Sequence, residues 1–237
     1  MEDIKENNLV QIKEKESTKD ELRVFQKCFL LFLIAQVLLT ISTLGYATTI
    51  NGVPRFLSLF KILSDVSNVI FIIALFKLKR INISFRHSFY SIITYLITIF
   101  VYGAFISSTN QFYVALGYGI KWTNDILSCM FYLYFFHGCY IFFNKNGLKT
   151  GRKRALITFF VFLTLFILKI IFVYITSVKL VLTNTILNRF FVYGSWALTA
   201  SIYIFIFVMV LQAAIYVNKK LKPKTDMNSK KGEKKHE

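Results

Sequence analysis

The chain has 237 residues, 55% of them apolar, including 26 Phe and 13 Tyr, and a formal net charge of +17. That composition excludes an ordinary water-soluble domain. The placement of the charge excludes a nucleic-acid-binding surface, because the basic residues fall in alternate gaps between long apolar runs instead of forming one stripe.

Residues 1–27 come first, with six basic and seven acidic side chains. This mixture is unlike the short basic leader of a cleavable signal, so none is expected. Six apolar runs follow: Cys28–Ile50, Phe56–Phe76, Ser88–Ser107, Ile120–Phe143, Ala155–Ile175 and Phe190–Val217. Each is close to the about 20 residues that cross a bilayer as helix. Both prolines, Pro54 and Pro223, lie outside these runs, so the helices are expected to be continuous. Residues 28–217 are therefore read as one all-α, six-transmembrane-helix bundle. Residues 218–237, with eight lysines, are read as a disordered basic tail.

The gap after the second run carries Lys77, Lys79, Arg80 and Arg86, and the gap after the fourth carries Lys145, Lys149, Arg152, Lys153 and Arg154. The other gaps are poor in charge: the first has Arg55, residues 108–119 have none, and the last has Lys179 and Arg189. Basic residues in every second loop follow the positive-inside bias and predict cytoplasmic N- and C-termini in a plasma membrane. The abundance of Lys, Ile, Asn and Phe suggests a bacterial chain. Its partner is the lipid bilayer, with anionic headgroups expected beside the basic loops and tail. No protein partner is legible.

A shift of sixty residues superimposes "FQKCF" (25–29) on "FRHSF" (85–89), Lys61 on Lys121, Asp65 on Asp125 and Phe71 on Phe131. A third helix pair lacks the Lys–Asp element, so the bundle reads as three tandem hairpins, two of them sharing a motif. Asp65 and Asp125 are the only acidic residues between Leu22 and Thr225.

Positions i, i+3, i+4 and i+7 share a helix face. That spacing groups Lys61, Ser64, Asp65 and Asn68 on the second run, and Lys121, Asn124, Asp125 and Ser128 on the fourth. A charge at a helix centre costs about 2.5–3.5 kcal/mol on insertion scales. The lysines can snorkel, whereas each aspartate is shorter, one turn deeper, and needs a partner, water or a proton. Lys169 on the fifth run is a third cation at a similar depth. The expectation is an outward-facing polar pocket formed by Lys61, Asp65, Asn68, Lys121, Asn124, Asp125 and Lys169. Its carboxylates would bind a cation or proton and its lysines an anionic group. The competing expectation is that each pair neutralises itself and only fastens helices together.

Cys28, Cys129 and Cys139 form no CxxC pair or metal-ligand spacing and are read as packing residues. His137 and Cys139 lie on different faces of one helix, so His137 is read as a buried, hydrogen-bonded residue. Gly194, Ala197 and Ser201 make a small-residue face suited to close helix packing. HExxH, G-x-S-x-G and Walker loops are missing, so neither an enzyme nor a cofactor is expected. Two functions remain: a transporter or binder of a small solute or ion, or a non-catalytic membrane partner such as an immunity protein or accessory subunit.

Overall fold

The computed structural model describes residues 2–48, 54–106, 111–176 and 185–221. Among the described residues there are six helices and no strand: α1 (Glu2–Thr48), α2 (Pro54–Leu78), α3 (Ile83–Ile106), α4 (Gln111–Lys145), α5 (Lys149–Thr176) and α6 (Thr185–Leu221). Each contains a segment long and apolar enough to cross a membrane, so the chain is a multi-pass all-α bundle. The charged segment up to residue 27 is helical and continuous with the first span in α1, and α4 starts at Gln111, ahead of the fourth apolar run. The basic tail beyond Leu221 lies outside the described residues.

Local chemistry accounts for the helix ends. Pro54 opens α2, where a missing N–H breaks no helical bond. Asn82 caps α3 by accepting a hydrogen bond from the Phe85 N–H at 3.0 Å, and its amide donates to the Gly138 carbonyl of α4 at 3.0 Å. At the end of α4, Gly147 takes φ 67°. The Leu148 N–H then bonds back to the Phe143 carbonyl, and the Gly147 N–H to the Asn144 carbonyl, at 2.9 and 3.1 Å. This is the Schellman closure, and it needs the left-handed residue that glycine supplies.

The helices form a ring in chain order. The α1–α2, α3–α4 and α5–α6 hairpins pack intimately, α4 packs on α5, α2 touches α3 more lightly, and α6 closes the ring against α1. One end, the basic end, carries the α2–α3 and α4–α5 turns with their Lys and Arg. Glu21 and Lys145 pair there at 2.8 Å, the Gln26 amide donates to Asn218, and Lys220 donates to the Asn146 carbonyl.

Inside the ring, α1 and α4 meet through aromatic rings. Phe25 stacks on Phe142 with centroids 3.7 Å apart, Phe32 on Phe135 at 4.0 Å, and Phe29 lies 5.5 Å from Phe135. Phe71, Phe85, Phe131 and Phe143 complete a dry stack. Lipid tails are as apolar as these rings, so burial alone does not drive the contact; dispersion and ring geometry do, at about 0.5–1.5 kcal/mol per pair. Ser67, Ser42 and Ser88 add donations to the Ala35, Phe60 and Phe131 carbonyls at 2.7, 2.7 and 2.9 Å, each between two helices.

Gly138 admits the Phe85 ring against α4: a Cβ there would stand 2.7 Å from it. Cys28, Cys129 and Cys139 are buried free thiols. His137 departs from expectation, because it is exposed and shares a hydrogen bond of 2.9 Å with Ser84. Of the small-residue face on α6, Gly194 meets Phe172 of α5, whereas Ala197 and Ser201 are exposed.

Candidate functional site

Halfway along the bundle, on the side of the aromatic stack away from the basic end, the ring leaves a partly open chamber of about 60 Å³. Its polar walls are Ser64 and Asn68 of α2, Tyr95 of α3, Ser128 and Tyr132 of α4, and Tyr203 of α6. Phe71 and Phe131, two rings of the stack, line it as well. That volume holds a few water molecules or one small ion.

One of the hydroxyls is committed: Tyr132 donates to the Gln36 side-chain oxygen at 3.4 Å, while Thr43, near Tyr203, donates to the Leu39 carbonyl of its own helix. The side chains of Ser64, Asn68, Tyr95 and Ser128 make no hydrogen bond with another described residue, although the Tyr95 backbone carbonyl accepts from the Thr98 hydroxyl at 2.9 Å. Gln36 is fully buried and its amide nitrogen has no partner among the described residues. Ser64, Asn68, Tyr95 and Ser128 are half-buried and face the same small space, so their side chains are free to serve a polar occupant there.

The predicted residues divide. Asn68 lines the chamber, together with Ser64 and Ser128 from the two stripes. Asn124 is buried at 8% exposure and accepts a hydrogen bond from the Thr98 hydroxyl, so it fastens α4 to α3. Asp125 is half-buried behind the chamber wall, near enough to Tyr95 and Tyr203 for its charge to act on both. It shares a narrow cleft with Trp122, Phe166 and Lys169, between α4 and α5. Lys169 and Asp125 are not within ion-pairing distance, and the Lys169 ammonium lies 5.8 Å from the Phe166 ring centroid.

Lys61, Asp65 and Lys121 are exposed and line neither space. Neither of these two spaces is lined by both carboxylates. In a helix, i+4 lies about 40° from i, so a stripe is broad. The bundle turns the uncharged edge of each stripe inward and leaves most of the charged edge outside.

Gln36, Thr43, Tyr95, Tyr132 and Tyr203 were not picked out from the sequence. Tyrosine is so frequent here that no single one stands out, but Gln36 is the one amide in the first apolar run. Among the described residues no cluster of three or more His, Cys, Asp or Glu could hold a metal, and the polar side chains lining the chamber are neutral. No protein family, curated protein or solved structure matches this chain.

Proposed function

We propose that this protein is a non-enzymatic carrier for a small hydrophilic solute, and that a hard monovalent cation is the solute its chamber fits best. Hard cations take oxygen ligands, and Ser64, Asn68, Tyr95 and Ser128 offer oxygens at one place from three helices. Asp125, close behind Tyr95 and Tyr203, supplies a single negative charge without occupying the space itself. The observation that carries the reading is the unspent hydrogen-bonding capacity of those four side chains, gathered on a chamber of about 60 Å³.

Under the positive-inside bias the basic end is cytoplasmic, in a plasma membrane, with anionic lipid beside its loops. The chamber then lies toward the outer leaflet, and the stack of Phe25, Phe29, Phe32, Phe135 and Phe142 closes the cytoplasmic side. Release inward requires those rings to part, which makes the stack the gate of a carrier rather than part of an open pore.

The test is equilibrium binding of radiolabelled sodium to the purified protein in nanodiscs, with lithium and potassium as competitors. Saturable binding is expected, weakened about tenfold or more in Asp125→Asn and about fivefold in Asn68→Ala. A wild type that binds none of the three ions saturably ends the cation reading. Normal binding in both variants moves the site out of the chamber.

A further inference from the structure

A second space lies at the basic end. A groove of about 870 Å³ runs between the start of the first span and the α2–α3 turn, lined by Asp20, Glu21, Val24, Lys27, Phe76, Lys77, Arg80 and Ile81. We propose that this groove binds an anionic phospholipid, its phosphate held by Lys27, Lys77 and Arg80 and its chain laid over Val24, Phe76 and Ile81. The proposal rests on the membrane orientation given above and is independent of the cation chamber.

Charge bookkeeping within the groove favours an anion. Each acid already has a cation of its own: Asp20 lies 3.7 Å from Arg23, and both oxygens of Glu21 accept from Lys145 at 2.9 and 2.8 Å. Lys27, Lys77 and Arg80 have no carboxylate within ion-pairing distance among the described residues. Lys79 is not part of the set, because it sits over the Phe76 and Phe89 rings at 4.0 and 4.6 Å. Three unpaired cations thus converge on one concave surface. Arg80 can hold a phosphate through two parallel N–H bonds, and the lysines act as point charges.

Depth and shape select a lipid over a free phosphate. Lys77 is one residue from the end of α2 and Arg80 two residues beyond it, the level at which headgroup phosphates lie. Phe76, at 47% exposure, and Val24, at 38%, are uncovered apolar surface on the same groove. An inorganic ion fills a small fraction of 870 Å³ and leaves those side chains uncovered, whereas a lipid places its phosphate at the cations and its chain on the apolar wall. The volume is in the range of sites that enclose sizeable organic ligands.

Full-length protein, stripped of lipid in a neutral detergent, is titrated with phosphatidylglycerol or phosphatidylcholine, and retained lipid is counted by native mass spectrometry. One tightly held phosphatidylglycerol per chain is expected, preferred at least tenfold over phosphatidylcholine. Each of Lys27→Gln, Lys77→Gln and Arg80→Gln lowers the preference about fivefold, and Lys77→Arg keeps it. Lys61→Gln, an exposed cation on the same helix, leaves it unchanged. All three groove cations are at the rim, and unchanged elution and melting of the single variants show that they fold. Equal retention of the two lipids by the wild type overturns the proposal, and so does a preference that survives all three glutamine variants. Displacement by millimolar inorganic phosphate as effective as displacement by phosphatidylglycerol overturns the lipid as occupant. Sodium binding in the same samples reports separately on the chamber.

Discussion

The α2 stripe of Lys61, Ser64, Asp65 and Asn68 and the α4 stripe of Lys121, Asn124, Asp125 and Ser128 are nearly interchangeable as sequence, yet their surroundings differ. Helix α4 is flanked closely by α3 and α5, so Asn124 is buried against Thr98 and Asp125 is half-buried beside Lys169. Helix α2 packs closely on α1 and only lightly on α3, so Asp65 remains exposed. Six residues beyond Leu59, that carboxylate lies about 9 Å along the helix from the start of the span. What differs is the helix packed alongside, not the motif. Of these two aspartates, only the one with helices packed closely on both sides of its own is half-buried.

The sharpest way to break that contrast is to neutralise the two carboxylates in turn. Asp125→Asn is expected to weaken sodium binding about tenfold or more, equivalent to about 1.4 kcal/mol, and Asp65→Asn to change it less than about twofold. Equal losses in the nanodisc binding assay would mean that both carboxylates serve one site after all.

The amides give the next largest effect, on a different axis. Asn124→Ala removes the hydrogen bond with Thr98 and is expected to destabilise the bundle by about 0.6–1.7 kcal/mol. Asn68→Ala removes no hydrogen bond to a described residue and is expected to cost less than about 0.5 kcal/mol, its effect being on ion affinity. Unfolding in mixed micelles measures both. Thr98→Ala should reproduce the Asn124→Ala loss, with little further loss in the double variant, as expected of residues that share one interaction. Additive losses would disprove the pairing.

The lysines sharpen the comparison last. Lys169→Gln removes a positive charge that competes with a bound cation, so sodium affinity is expected to rise about two- to threefold. Lys61→Gln, at the exposed edge of α2, is expected to leave affinity within experimental error. A fall in affinity on removing Lys169 would show that its main role is to hold Asp125 in place.

Much of this molecule is legible in one dimension. Run length, alternating loop charge and the absence of proline from the apolar runs lead to six spans in hairpin order, because bilayer thickness and the need to satisfy every backbone group leave a helix no alternative. Helical periodicity also finds the inner edge of each stripe, where Ser64, Asn68 and Ser128 line the chamber. Periodicity gives only angles relative to other residues on the same helix. The rotation of each helix about its own axis, and hence whether Asp65 or Ser64 faces inward, is set by the packing of Phe71, Phe131 and their neighbours.

By itself the sequence determined the class of the protein, the number of its crossings and the depth at which polar groups enter the apolar layer. Those follow from hydrophobicity and length, which are sums over a segment. Tertiary structure decided which polar groups meet: Gln36 with Tyr132 and Asn124 with Thr98 join residues 96 and 26 positions apart. It also left Lys27, Lys77 and Arg80 unpaired around one groove. Such meetings depend on the ring of helices closing α6 against α1, and no local pattern of residues encodes that closure.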